Sequence, residues 1–308
     1  MHTRSIIRPL AFIIMLLALS SFLEGRAQTQ NSAVVRITGA RFTYPLVENW
    51  IERYIKVNPN VQIVIESRGL QDPSQYDVLI EALEQPEEIK KNRDYTYVGR
   101  YAILPVANSR SEFARTYVVK GFTNATIRQI FFHDLYADKD TQEKITAPYT
   151  TYTRMQKASA PTVFANYFKF EQKDITGKGI AGADEHLLKA ILRDTTAVSY
   201  LPAPLIYDKA GAPVRGITPI PVDINGNDRV TDDEKIFGNR SNLIDRISNA
   251  NPKDIHNLPV EHIHLSVDKR TATPEAQAFI QWVLNNGLND LKDFGYLSPE
   301  PLLTSKSK

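Results

Sequence analysis

The feature that most limits the fold is a repeated change of hydrophobic period along the chain. "AVVRITGA" (33–40) is a β-branched run ending at a glycine. "YPLVENWIERYIKVNPN" (44–60) then sets Leu46, Trp50, Ile51 and Tyr54 on one helical face, and Asn58-Pro59 closes it. Short apolar strands follow in "VQIVIESRG" (61–69), ending at Gly69, and "YDVLIEAL" (76–83), and a long run, "YTYVGRYAILPVANS" (95–109), reads as a strand bridging two lobes. The rest alternates in the same way. Helices are expected in "TNATIRQIFFHDLY", capped by Thr123 or Asn124, in "TVFANYFKF" and in "AGADEHLLKAILRD"; strands are expected in "APYTTYTR" and "AVSYLPAPLIYD". A last helix opens at Thr273-Pro274-Glu275, carries Phe279, Trp282 and Val283, and is expected to stop at Gly287. Strands alternating with helices predict an α/β architecture with parallel pairing and helices on both faces.

The chain of 308 residues is long enough for two lobes. Its first residues read as an export signal: Arg4 and Arg8, an apolar run over about 10–23, and small residues near Ala27. An uncleaved anchor is the competing reading, but the run is about 14 residues where a span needs about 20. The absence of cysteine excludes disulfides and thiolate metal sites. Cleavage near Ala27 would remove three arginines and one glutamate from 37 basic and 35 acidic residues, leaving 34 of each. A neutral mature chain carries no nucleic-acid footprint, so an anion would have to be met by local donors. The expectation is a periplasmic or secreted monomer.

Two turns share one design. "ITGARFTYPLVENW" and "TYTRMQKASAPTVF" each run from a strand through small residues into a helix with proline near its start. The first N–H groups of a helix lack internal partners and carry partial positive charge, so such turns suit oxyanions. Thr43, Ser159 and Thr162 add hydroxyls, and Arg154 adds a fork of charged donors. Ordinary capping by Ser159 and Thr162, with Arg154 in a surface ion pair, is the alternative.

These two segments, together with "FIQWVLNNGLNDLKDFGYLSPEP" (279–301), resemble the phosphate-binding proteins of ABC importers, and the similarity is strongest at the two ends of the mature chain. The resemblance implies a two-lobed periplasmic-binding-protein fold with mixed, mainly parallel sheets. With the export signal (1–27) and an EF-hand-like calcium-loop insertion (216–240) set apart, it divides the chain into lobe 1 (28–105), lobe 2 (106–215) and a return to lobe 1 (241–308). It implies capture of phosphate or a related oxyanion without catalysis, and a transporter permease as partner. By resemblance Thr43, Tyr44, Arg154, Ser159 and Thr162 are ligand-binding, with Ser67 a weaker match. Departures are Arg41 in place of a glycine, Pro161, and no aspartate within "MQKAS" where the family has one. A phosphate site needs an acceptor for the anion's proton, which sulfate lacks; Asp77 is the candidate, against an ordinary strand-edge role.

"DINGNDRVTDDE" (223–234) has calcium-loop spacing. Asp223, Asn225, Asn227 and Glu234 hold positions 1, 3, 5 and 12, and Arg229 offers its carbonyl at position 7. Asp228 replaces the usual glycine at position 6. A structural Ca2+ clip is expected, against a plain acidic Asn-Gly turn. Finally, His256, His262 and His264 lie in "DIHNLPVEHIHLSV". A His-X-His strand pair with Glu261 or Asp268 as base supports the alternative of an exported metal-dependent hydrolase.

Overall fold

The computed structural model describes residues 33–66, 70, 72–132 and 144–299. The expected signal segment 1–27, Ser67 and the C-terminal tail lie outside them. β1 (Ala33–Gly39) leads through a tight turn, Arg41–Thr43, into α1 (Tyr44–Val57) and back to β2 (Val61–Ile65). β3 (Val78–Glu81), α2 (Glu87–Lys90) and the 16-residue β4 (Arg93–Asn108) follow. Next come α3 (Glu112–Lys120), α4 (Asn124–Phe131), β5 (Thr150–Arg154), α5 (Ser159–Tyr167), β6 (Lys178–Ile180), α6 (Asp184–Arg193), β7 (Ala197–Pro202) and β8 (Ile217–Pro219). α7 (Arg240–Ser248), β9 (Val260–Asp268) and α8 (Pro274–Trp282) follow, and helical turns continue from α8 over Val283–Gly287 and Leu288–Phe294. Thr123 caps α4, its hydroxyl accepting from the Thr126 amide.

The strands form one mixed sheet in the order β2-β1-β3-β9-β4-β7-β5-β6, with β8 on β4. β1 is parallel to β2 and β3, and β5 is parallel to β6 and β7. The strands that pass through the middle run antiparallel: β3 with β9, and β4 with β7, β8 and β9. β4 joins the two halves. Arg93–Ala102 pair with β9, whereas Ile103–Ala107 pair with β7. An uninterrupted apolar strand suits this place because it is covered on both faces; Tyr101 to Val106 contains no exposed residue.

Buried aromatic hydroxyls pin the backbone around the ends of β1 and β3. Tyr296 donates to the Phe42 carbonyl at 2.9 Å, and Tyr101 donates to the Ala82 carbonyl at 2.7 Å. Gly287 does not stop the last helix as expected. Trp50 Nε1 donates to its carbonyl at 2.9 Å, and a Cβ there would lie 2.8 Å from the same nitrogen. The glycine is a packing requirement, and the chain reverses instead at left-handed Gly295, φ 84°.

Candidate functional site

A cleft of about 560 Å³ opens where the ends of β1, β3 and β5 converge. One wall is the turn after β1, with Gly39, Arg41 and Phe42; Glu81 and Gln85 follow β3; Arg154, Gln156 and Ser159 form the opposite wall, with Asp184 beside them. Gly39 and Ile80 are register partners, so β1 and β3 present the same end to the cleft.

Arg154 is the last residue of β5. Its Nη1 donates to Asp184 Oδ1 at 2.8 Å, and the two side chains are 10% and 8% exposed. Asp184 opens α6, where the helix N-terminus favours a negative charge. The Arg154 Nε is buried and has no hydrogen-bond partner. Ser159 opens α5, whose N-cap, Ala158, provides no capping side chain. Helix geometry leaves the amides of Ser159 and Ala160 without partners inside the helix, and Pro161 offers none.

Arg154 and Ser159 therefore share one cleft with the turn after β1. The other expected ligand residues among those described do not line it. Thr43 is 1% exposed and its hydroxyl donates to the Ala40 carbonyl at 2.6 Å, locking its own turn. The Tyr44 hydroxyl points back to the carbonyls of Gly39 and Glu66, at 3.4 and 3.3 Å. Thr162 donates to Gln172 Oε1 at 3.2 Å and lines a neighbouring pocket with Lys157 and Lys173. Asp77 precedes β3 and accepts from the Arg36 amide at 2.7 Å. A strand rises about 3.3 Å per residue, which puts it roughly 13 Å from the cleft end of β3.

The cleft carboxylate on that strand is Glu81, which sequence reasoning missed. Val78 and Ile80 are buried on one face, so period two turns Leu79 and Glu81 to the other; that alternation, with an acid at the strand's end, is the signal that identifies it. Burial pushes the Glu81 carboxyl above its usual range, against the Ser266 hydroxyl and Arg93, which act to lower it. Asp184 was also missed. No local signal marks it, because its partner lies 30 residues away.

The acidic loop closes on itself around two carboxylates that are both fully buried. Asp223 Oδ1 accepts from the amides of Gly226 (2.7 Å) and Asn227 (3.1 Å), and Oδ2 from Asp228 (2.8 Å). Glu234 Oε1 accepts from the amides of Ile224 (2.8 Å) and Asn225 (2.9 Å). Its Oε2 accepts from the amide and hydroxyl of Thr231, at 2.8 and 2.9 Å. The Asn225 and Asn227 side-chain oxygens each accept one amide further on. Asp228 adopts φ 62°, the left-handed geometry position 6 demands.

The histidines divide. His256 packs against Gly226, where a Cβ would come within 2.9 Å of its ring. His262 lies with Glu84 and Glu261 in the one group of three acidic or histidine ligand atoms within 4.8 Å found among the described residues. Glu84 is already held there by Lys90 and by the Tyr97 hydroxyl at 2.8 Å. His264 does not join them: it is fully buried, and neither ring nitrogen has a hydrogen-bond partner. Asp268 is engaged by Arg270. Burial, then Lys90 and His262, lower the His264 pKa to about 4. Its folded value thus lies below the unfolded value near 6.5, so the unfolded chain takes the proton first. Stability is expected to fall as the pH drops from 6.5 to 4, and His264 leaves it unchanged above pH 6.5. His264→Phe should shrink that fall in a series of melting curves.

No family model and no curated protein matches the sequence. Solved structures match its fold. The chain is similar to one described as a phosphate ABC transporter substrate-binding protein with bound phosphate from Clostridium perfringens, at 14% identity and TM-score 0.65, over 87% of this chain and all of that one. It is similar to an ABC-type phosphate transport receptor from Vibrio cholerae, at 13% identity and TM-score 0.56, again over 87% and 100%. A full-length OxyR variant from Pseudomonas aeruginosa gives 11% identity and TM-score 0.51, over 94% of this chain and 76% of that one. At such identities the likeness is one of fold, and the fold is of the periplasmic-binding-protein type.

Proposed function

We propose that this protein captures a tetrahedral oxyanion, phosphate foremost, and hands it to a membrane transporter after export to the periplasm. The observation carrying the reading is Arg154: a buried guanidinium, held by Asp184, whose Nε has no protein partner at a cleft that also receives the start of α5. A buried donor left without an acceptor is costly, and an anion oxygen would remove that cost. The resemblance to the importer proteins, two of which carry phosphate in their descriptions, supports the choice of ligand. No helix among the described residues is long and apolar enough to cross a membrane.

In this reading Arg154, Ser159 and the α5 amides supply the donors, Arg41 adds charge at the rim, and Thr43 and Tyr44 shape the first turn. Glu81 takes the role first given to Asp77, as acceptor for the anion's proton. Titration calorimetry on the mature chain should show uptake of phosphate; no heat with phosphate, sulfate, molybdate or organophosphates would end the proposal. Glu81→Gln presents a donor where phosphate offers its own proton. It should narrow the preference for phosphate over sulfate by about tenfold or more, the value of one lost charge-assisted hydrogen bond.

The loop 223–234 is proposed to hold one Ca2+ as a structural clip. Its side-chain oxygens from Asp223, Asn225, Asn227 and Glu234, with the Arg229 carbonyl, are the hard donor set that ion prefers.

A further inference from the structure

The carboxylate of Glu81 does not stand alone at the floor of the cleft. Behind it, β9 and β4 place a row of polar side chains through their register: Glu81 opposite His264, His264 opposite Tyr97, and Ser266 opposite Tyr95. Ser266 donates to Glu81 Oε2 at 2.6 Å and in turn receives Arg93 Nε at 2.9 Å. His264 Nε2 lies 3.8 Å from the same carboxylate oxygen.

We infer that His264 is a positioning residue for Glu81, supplying from behind the strand a further donor beside Ser266 that keeps this carboxylate an acceptor, and so sets the preference for protonated over unprotonated oxyanions. The role rests on the anion-capture reading above.

Three observations point the same way. First, the imidazole is fully buried with both nitrogens unpartnered, a condition native interiors avoid. A hydrogen bond needs about 2.9 Å, so a shift of about 1 Å toward Glu81 would make one. Second, the ring is held between aromatic neighbours, with centroids 4.9 Å from Tyr95 and 5.4 Å from Tyr97, which leaves Glu81 as the carboxylate in its reach. Third, its other charged and titratable neighbours are Lys90 from α2, Tyr95 and Tyr97 from β4, and His262 on its own strand. Burial, then Lys90 and His262, keep the ring neutral at physiological pH. A neutral imidazole gives an N–H to the carboxylate without cancelling its charge, which a buried imidazolium would do. When a bound anion displaces water from the cleft, the Glu81 carboxylate loses solvent donors and comes to depend on the protein donors around it, Ser266, Tyr95 and Gln85, with His264 added from β9.

The test uses the mature protein and titrates it with phosphate and with sulfate between pH 6 and 8.5. His264→Phe keeps the ring between the tyrosines and removes two orphaned nitrogens, so the chain should remain folded. It is expected to lose phosphate affinity about tenfold for each unit by which Glu81 is raised, with sulfate unchanged or tighter and the pH profile for phosphate displaced upward. His264→Gln, which restores a donor, should recover most of the wild-type ratio. Equal weakening of both anions by His264→Phe, or an unchanged ratio and pH profile, overturns the role of His264 while leaving capture intact. A wild-type protein that takes up neither anion overturns the capture reading and this role with it.

Discussion

Arg154→Met should weaken phosphate binding by at least 100-fold. A charge-assisted hydrogen bond contributes about 1.5–3 kcal/mol, and the substitution removes both the orphaned Nε–H and the positive charge of the only guanidinium buried in this cleft among the described residues. The complication is Asp184. With its partner gone it becomes an uncompensated charge at 8% exposure, and breaking a buried pair from one side costs about 3–5 kcal/mol. The single variant alone would therefore confuse lost binding with lost folding. The double variant Arg154→Met/Asp184→Asn separates them, because it deletes both charges together. Its melting temperature should return most of the way to wild type while phosphate heat stays absent. Arg154→Lys should fall between, since an ammonium keeps the charge but not the planar fork. A folded double variant that binds phosphate as wild type does would remove Arg154 from the site, and with it the main support for anion capture.

The strands and the central place of β4 were legible because β-branched runs and their bounding glycines are local signals, and the long run of β4 could be covered only at the middle of a sheet. Arg154 and Ser159 were legible for the same reason: strand, cation, small residues and helix start follow one another within a dozen positions. What failed was direction. A hydroxyl at a helix start can face a ligand or bond its own turn, and the tight turn Arg41–Thr43 brings the Ala40 carbonyl to 2.6 Å of Thr43 Oγ1, which decides the matter inward. Asp77 and Glu81 both flank one short strand, and choosing between them requires knowing which end meets β1 at Gly39. Asp184 depends on a contact between α6 and β5, separated by a whole helix and strand, and the absence of an acid in "MQKAS" gave no hint that the carboxylate would arrive from elsewhere.

Glu234→Ala should lower the melting temperature by about 10 °C and abolish any rise produced by Ca2+. Glu234 is fully buried and accepts four hydrogen bonds, from the amides of Ile224, Asn225 and Thr231 and from the Thr231 hydroxyl. It ties the first residues of the loop to the last turn. Leaving a buried donor unmade costs about 1–3 kcal/mol. Four such losses do not add fully, because the loop will open and let water reach some of them, so a total on the order of 3–5 kcal/mol is expected. For a chain of this size each kcal/mol moves the melting temperature by about 2–4 °C. Damage should spread to the neighbouring elements, since Phe122 and Val222 bridge the loop's entry to the start of α4 and Val230 packs on Gly121. Metal adds a separate increment: at 100 times its dissociation constant an ion that binds only the folded chain contributes about 2.7 kcal/mol. Melting in EDTA measures the hydrogen-bonded clamp, and the further rise on adding Ca2+ measures the ion. A variant that melts as wild type in EDTA removes the clamp; a calcium-dependent rise surviving without the Glu234 carboxylate removes the clip, because the loop has no other acid at position 12 to close the coordination sphere.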